Sequence, residues 1–111
     1  MEIINKKNKV FFNLEDKAFG NITINFDNII IELIKVAPEH RNNGLGTYIF
    51  TTILNFIKSN FKNIKYIKLT PLPLDSFGLN IDQLIAFYTK YRFKNINYLE
   101  KNNPYLMVRY L

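Results

Sequence analysis

The sequence predicts a single mixed α/β (α+β) domain over residues 1–111, with a mostly antiparallel sheet around one central parallel βαβ unit. Three observations predict it. Residues 29–36, Ile-Ile-Ile-Glu-Leu-Ile-Lys-Val, are an almost continuous β-prone run of the kind covered on both faces. Apolar residues then recur at helical spacing from Leu45 to Ile57. A further β-prone run, Lys65 to Thr70, follows, and a strand–helix–strand succession closes as a right-handed crossover with a parallel pair.

Lys9 to Glu15 reads as the first strand, ended by the turn signal Asp16-Lys17. Phe19 to Asp27 alternates, with Ile22, Ile24 and Phe26 on one side and Thr23 and Asn25 on the other. Gly20 relaxes the preceding turn or marks a bulge. Asp27-Asn28 turns the chain again, which makes the first part an antiparallel meander. Within 29–36, period-two spacing sets Glu32, Ile34 and Val36 on one face, and Pro38 ends the strand. The longest helix spans about Gly44 to Asn60, with a stripe of Leu45, Ile49, Ile53, Phe56 and Ile57 flanked by Phe50 and Leu54. Pro71 closes the next strand, and residues 71–79 form a loop. Asn80-Ile81-Asp82-Gln83 has the pattern of a capped helix start, and that helix runs to about Lys90 or Tyr91. Phe93–Leu99 and Tyr105–Tyr110 are two late strands joined by a turn around Lys101-Asn102-Asn103-Pro104. These strands offer an edge for pairing across a two-fold axis in a homodimer. No helical pattern precedes Gly44.

Composition narrows the chemistry. With 48% hydrophobic and 22% charged residues the chain is globular rather than disordered. The absence of cysteine excludes disulfides, thiolate nucleophiles and Cys-ligated zinc, and a single histidine excludes a His-cluster metal site. No metal is therefore expected. No apolar run reaches the roughly 18–20 residues of a membrane span. Residues 1–7 lack a signal-peptide layout, so a cytoplasmic protein with no membrane partner is expected. The net charge of +6 invites a polyanionic partner. The lysines, however, are scattered, and arginine, the better phosphate and base ligand, occurs only at Arg41, Arg92 and Arg109. Most of the excess charge reads as solvated compositional bias. The remainder reads as steering of an anionic ligand such as a multiply phosphorylated cofactor, and nucleic acid is disfavoured.

Two of the four glycines, Gly44 and Gly46, flank Leu45 where the long helix begins. A helix start offers unpaired N–H groups and the positive end of the dipole. Glycine lets phosphate oxygens approach those groups, and Arg41 adds a fixed positive charge. The segment Arg41-Asn42-Asn43-Gly44-Leu45-Gly46-Thr47 is thus a candidate pyrophosphate cradle. It matches neither the dinucleotide fingerprint, which would need glycine at Ile49, nor a P-loop, which needs Gly-Lys-Ser/Thr.

The stretch Val36-Ala37-Pro38-Glu39-His40-Arg41-Asn42-Asn43-Gly44-Leu45-Gly46 resembles the acetyl-CoA motif of the GNAT (Gcn5-related) N-acetyltransferase superfamily. Phe87-Tyr88-Thr89-Lys90-Tyr91-Arg92-Phe93 resembles the second motif of that family, with Arg92 where glycine is common. The resemblance extends from about Ile29 to the C-terminus and implies a GNAT-like fold lacking its N-terminal helices. Small phage acetyltransferases, some of them anti-CRISPR proteins, are similar in this minimal layout and carry an acid four positions before the terminal Val of the strand, here Glu32.

The resemblance implies acetyl transfer from acetyl-CoA to a primary amine by direct attack in a ternary complex. The pantetheine arm would lie along Ile34, Lys35 and Val36. The pyrophosphate would sit on the N–H groups of Asn42 to Thr47 near Arg41. Phe87 and Lys90 would line or flank the channel, and Asn80 would reach the pantetheine. Tyr88 would protonate the departing thiolate. A lysine-like amine is neutral in only about one molecule in a few thousand at pH 7, so a base is needed. Glu32, the lone acid of an apolar strand, is the candidate base, and burial there would raise its pKa. An ion pair or an exposed carboxylate is the alternative environment for Glu32. The acceptor is a protein lysine or N-terminus, or a small amine. An inactive CoA-binding or protein-interaction domain is the reading from a different class.

Overall fold

The computed structural model describes residues 1–71, 79–96 and 105–111. The chain runs through β1 (Glu2–Lys6), β2 (Lys9–Leu14), β3 (Ala18–Ile24), β4 (Asn28–Val36), a 3₁₀ turn (Pro38–His40), α1 (Leu45–Asn60), β5 (Tyr66–Leu69), α2 (Ile81–Lys90), β6 (Lys94–Asn95) and β7 (Met107–Tyr110). One sheet holds the strands in the order β1-β2-β3-β4-β5-β7-β6. Only β4 and β5 are parallel, and every other pair is antiparallel. This is the mixed, mostly antiparallel sheet with a central βαβ unit that the sequence predicts.

Three features depart from expectation. β1 went unrecognised because all five of its residues are exposed, so it carries no buried alternation. Phe26, expected on the apolar side of β3, lies beyond the strand and is fully exposed. β7 has β5 on one side and β6 on the other, so of the two late strands the two-residue β6, and not β7, is the one at the sheet edge. The expected loop 71–79 falls largely on residues 72–78, and the turn around 101–104 falls wholly outside the described residues, as do residues 97–99 of the expected late strand.

α1 covers β2, β3 and β4 through Ile49, Phe50, Ile53, Leu54 and Ile57, all buried. Gly20 sits beneath it. A Cβ there would lie 2.7 Å from Ile53 Cδ1 and 3.3 Å from the Leu33 carbonyl oxygen, so Gly20 permits close helix–sheet packing rather than making a turn. Phe50 also anchors α2. Its ring meets those of Phe87, Tyr88 and Tyr91 at centroid distances of 5.4, 5.3 and 5.0 Å. No helix precedes the turn at Pro38, so no helix of residues 1–37 covers the face of β1–β4 opposite α1. That face carries an open cavity of about 460 Å³ lined by Ile4, Phe11, Phe19, Leu33 and Lys35, among others.

The register of β3 against β4 slips between Asn21 and Ile22, which pair with Leu33 and Ile31. Glu32 is thus the extra residue of a β-bulge. A bulge bends its strand and increases the local twist. The β4–β5 ladder covers Asn28 to Ile31 only. From Glu32 to Val36 the β5-facing edge of β4 therefore has no paired strand among the described residues.

Candidate functional site

The unpaired end of β4 leads directly into the cradle. Ala37 N–H bonds the Lys17 carbonyl at 2.8 Å, which ties the exit of β4 to the β2–β3 turn. The 3₁₀ turn follows, and the chain then reverses through Asn42 and Gly44, both at positive φ (67° and 78°). A side chain at Gly44 would meet no protein atom within 4 Å, so the left-handed backbone, not crowding, makes glycine the fitting residue there. Gly44 is also the N-cap of α1, and no side chain caps this helix. The first intrahelical bond runs from Tyr48 N–H to the Gly44 carbonyl at 3.0 Å. The N–H groups of Leu45, Gly46 and Thr47 are left for a ligand, and no acidic residue in the first turn offsets the dipole.

Val36, His40, Arg41, Asn42, Gly44, Leu45, Gly46 and Thr47 line a cavity of about 170 Å³, joined by Leu79 and Phe87. Arg41 Nε donates to the Val36 carbonyl at 3.1 Å, holding the guanidinium across the strand end beside the helix N-terminus. These are the elements of an anion site: aligned amides, a positive dipole end and a fixed cation. A phosphorylated, extended ligand fits the donor set, with anionic groups on the amides and a thin arm along the open edge of Ile34 to Val36.

The structure brings most of the sequence-derived cofactor residues to this cavity: Val36, Arg41, Asn42, Gly44, Leu45, Gly46, Thr47 and Phe87 line it. Ile34, Lys35 and Asn43 flank it in sequence, the first two on the unpaired part of β4. Asn80 caps α2, its side-chain oxygen accepting from Gln83 N–H at 2.9 Å in a capping box, next to the cavity-lining Leu79. Lys90 lies exposed in the last turn of α2, outside the cavity. His40 is half-buried and lines the cavity, a position its adjacency to Arg41 could have signalled. Leu79 joins from across the fold, with no sequence signal to mark it.

Glu32 is not where simple alternation puts it. The bulge breaks the period, so Ile34 and Val36 are buried on the α1 side while Glu32 is exposed. Its carboxylate pairs with Lys9 Nζ at 2.9 Å and accepts a short hydrogen bond from the Thr23 hydroxyl. The expected burial is thus corrected to the alternative environment, an exposed ion pair on the open face.

Tyr88 is nearly buried, its ring against Phe50, Phe87 and Phe93. Burial pushes the ionisation of its hydroxyl well above the usual tyrosine range. The hydroxyl makes no hydrogen bond among the described residues, yet no buried side-chain oxygen lacks a partner. The oxygen itself therefore stays accessible while the ring is sealed.

No protein-family model and no curated protein sequence matches this chain. Its fold matches solved structures. The anti-CRISPR protein AcrVA5 superposes with a TM-score of 0.68 at 17% identity, covering 91% of this chain and 97% of that one. A GNAT family acetyltransferase from Elizabethkingia anophelis with acetyl-CoA bound gives 0.68 at 18% identity, covering 94% and 77%. PaiA N-acetyltransferase from Thermoplasma acidophilum, in complex with coenzyme A, gives 0.65 at 16% identity, covering 93% and 60%. The bulged fourth strand, the uncapped glycine-led helix after it and these three superpositions agree on one architecture: the chain has a GNAT-like fold.

Proposed function

We propose that this protein is an acetyl-CoA-dependent N-acetyltransferase acting on a primary amine. The observation that carries the reading is the uncapped N-terminus of α1, led by left-handed Gly44 and placed at the unpaired end of β4. Bound acetyl-CoA would supply an acyl thioester open to attack by an amine. The N–H groups of Leu45, Gly46 and Thr47 hold its pyrophosphate, with Arg41 beside them. The free edge of Ile34 to Val36 aligns the pantetheine. Tyr88, kept protonated by burial, donates a proton to the leaving thiolate; its raised pKa makes it a ready donor only toward a strongly basic group, which a thiolate forming in an apolar pocket approaches. Glu32 at the bulge is the acid of β4 on the open face, where an acceptor would approach. Its pairing with Lys9 shows that the site already accommodates an ammonium group on this carboxylate. The open face of β1–β4, without covering helices, suits an acceptor presented by a protein.

Release of free thiol from acetyl-CoA, measured with a panel of peptide and small amines, tests the reading. Amine-dependent release is expected, and Tyr88→Phe is expected to lower turnover at least about tenfold with coenzyme A affinity nearly kept. An unchanged rate in that variant removes Tyr88 from the mechanism. One observation favours the inactive binding domain as the second reading: the Glu32 carboxylate is exposed and already engaged by the Lys9 ammonium. Binding of coenzyme A without thiol release from any amine supports that alternative.

A further inference from the structure

A third cavity, of about 480 Å³, lies at the other end of α1, about 24 Å along the helix axis from the cradle. Lys58, Lys62, Arg92 and Arg109 all line it, with no acidic side chain among the lining residues. Leu111, which bears the carboxylate at the end of this sequence, lines it too, leaving the cations in excess. Arg92 and Arg109 are 17 positions apart in sequence and two of the only three arginines in the chain. The ion pairs among the described residues are Lys9–Glu32 and Lys17–Glu15, neither of them here. The C-terminal carbonyls of α1 take up only part of this charge. Phe61 N–H serves Ile57, and Lys62 Nζ serves Lys58 at 3.2 Å, but Arg92, Arg109 and the Lys58 ammonium make no hydrogen bond to any of them. The negative end of a helix dipole is worth only about half a charge.

Two further observations show that this gathering is costly. Arg92 holds φ at +70°, a left-handed conformation strained for a residue with a Cβ, at the position where the family resemblance would place glycine. Burial, and then the facing charge of Arg92, push the Arg109 guanidinium below its ordinary range. The left-handed turn itself closes α2, with Arg92 N–H on the Thr89 carbonyl at 3.1 Å and Phe93 N–H on the Tyr88 carbonyl at 3.2 Å, bonds that glycine would make equally well. The helix end thus requires the turn but not the guanidinium, and it is the gathering of cations in one cavity that marks a place for an external anion. Tyr110, exposed at the rim with its ring 5.9 Å from that of Tyr66, adds an aromatic face.

We infer that Arg92, Arg109, Lys58 and Lys62 form a second phosphate site, separate from the α1 N-terminus, that takes a nucleotide phosphate with the base on Tyr110. The phosphate belongs either to a nucleic-acid strand or to a free nucleotide, and the chemistry of recognition is the same: bidentate guanidinium contacts and ammonium charge on a tetrahedral oxyanion.

The test is fluorescence anisotropy of a short labelled single-stranded oligonucleotide, with adenosine triphosphate as competitor, run with and without saturating coenzyme A. A chain that fails to bind coenzyme A thus still reports on this pocket. Binding is expected to persist with coenzyme A present and to weaken steeply with salt. The logarithmic salt slope should fall by roughly one for each cation removed. Arg92→Gly is expected to weaken binding about tenfold while raising the melting temperature by a few degrees, because glycine relieves the positive φ. Arg109→Gln is expected to weaken it similarly. Displacement by the triphosphate assigns the site to free nucleotides, and failure to displace a bound strand assigns it to nucleic acid. The inference is overturned if neither probe binds, or if both variants bind as the parent does.

Discussion

Burial of the Tyr88 ring among Phe50, Phe87 and Phe93 makes its ionisation costly, and that cost is a statement about stability as well as chemistry. The folded pKa lies above the unfolded one, so the folded state keeps its proton while the unfolded tyrosine ionises near pH 10. The contribution is fully present below that pH and declines above it, towards the folded pKa. Melting temperatures of the parent should therefore fall more steeply above about pH 10 than those of Tyr88→Phe, which has no proton to lose. Parallel pH profiles for the two would place the hydroxyl in water. Tyr88 was legible in the sequence because it stands in a recognisable motif on a helix whose capping box is also readable. The environment of Glu32 was not, because alternation assigns faces only while the register is unbroken.

At the scale of the element, one residue in β4 decides how the strand meets its neighbours. On either side of Glu32 the buried positions alternate correctly, Ile29 and Ile31 before it, Ile34 and Val36 after it. The phase slip between these pairs is the trace of the bulge in the sequence, visible once the core face is known. Deleting Glu32 would restore unbroken alternation from Ile29 to Val36, so the deletion variant should fold. A straightened β4 would extend its ladder with β5 and close the edge proposed for pantetheine. Coenzyme A affinity should then drop at least about tenfold with the circular dichroism spectrum kept, and retained affinity would show that the bulge is not what opens the slot. Gly20 acts on the neighbouring strand in the same way, through space rather than conformation. Gly20→Ala should cost about 1–3 kcal/mol in denaturant unfolding, because its Cβ meets the buried Ile53 Cδ1 and the fixed Leu33 carbonyl. Removing that methyl with Ile53→Val should make the double variant more stable than the two single losses added together. The function of Gly20 was not legible, since a sequence cannot show which helix side chain lies over a strand.

Across the whole molecule, the sheet divides labour. Its centre, at the end of the parallel β4–β5 ladder, leads into the cradle, and α1 spans the distance from that cradle to the basic pocket. The face of β1–β4 opposite α1 carries the open cavity at which the proposed acceptor would approach. The sequence carried the class, the two helices and β2, β3, β4, β5 and β7 through their buried positions, and it carried the exposed β6 only through the buried Phe93 and Ile96 on either side of it. It did not carry β1, an edge strand with no buried side, nor the meeting of Arg92 with Arg109, which only the tertiary fold creates.

All of this turns on the amides at the start of α1, and calorimetric titration of coenzyme A into the parent and Gly44→Ala measures them directly. The parent should bind with measurable heat, and the variant should bind about tenfold or more weakly, since a Cβ there both strains the left-handed backbone and projects into the open space a phosphate would occupy. No heat in the parent, or equal affinity in both proteins, would contradict the assignment of this turn as the diphosphate site.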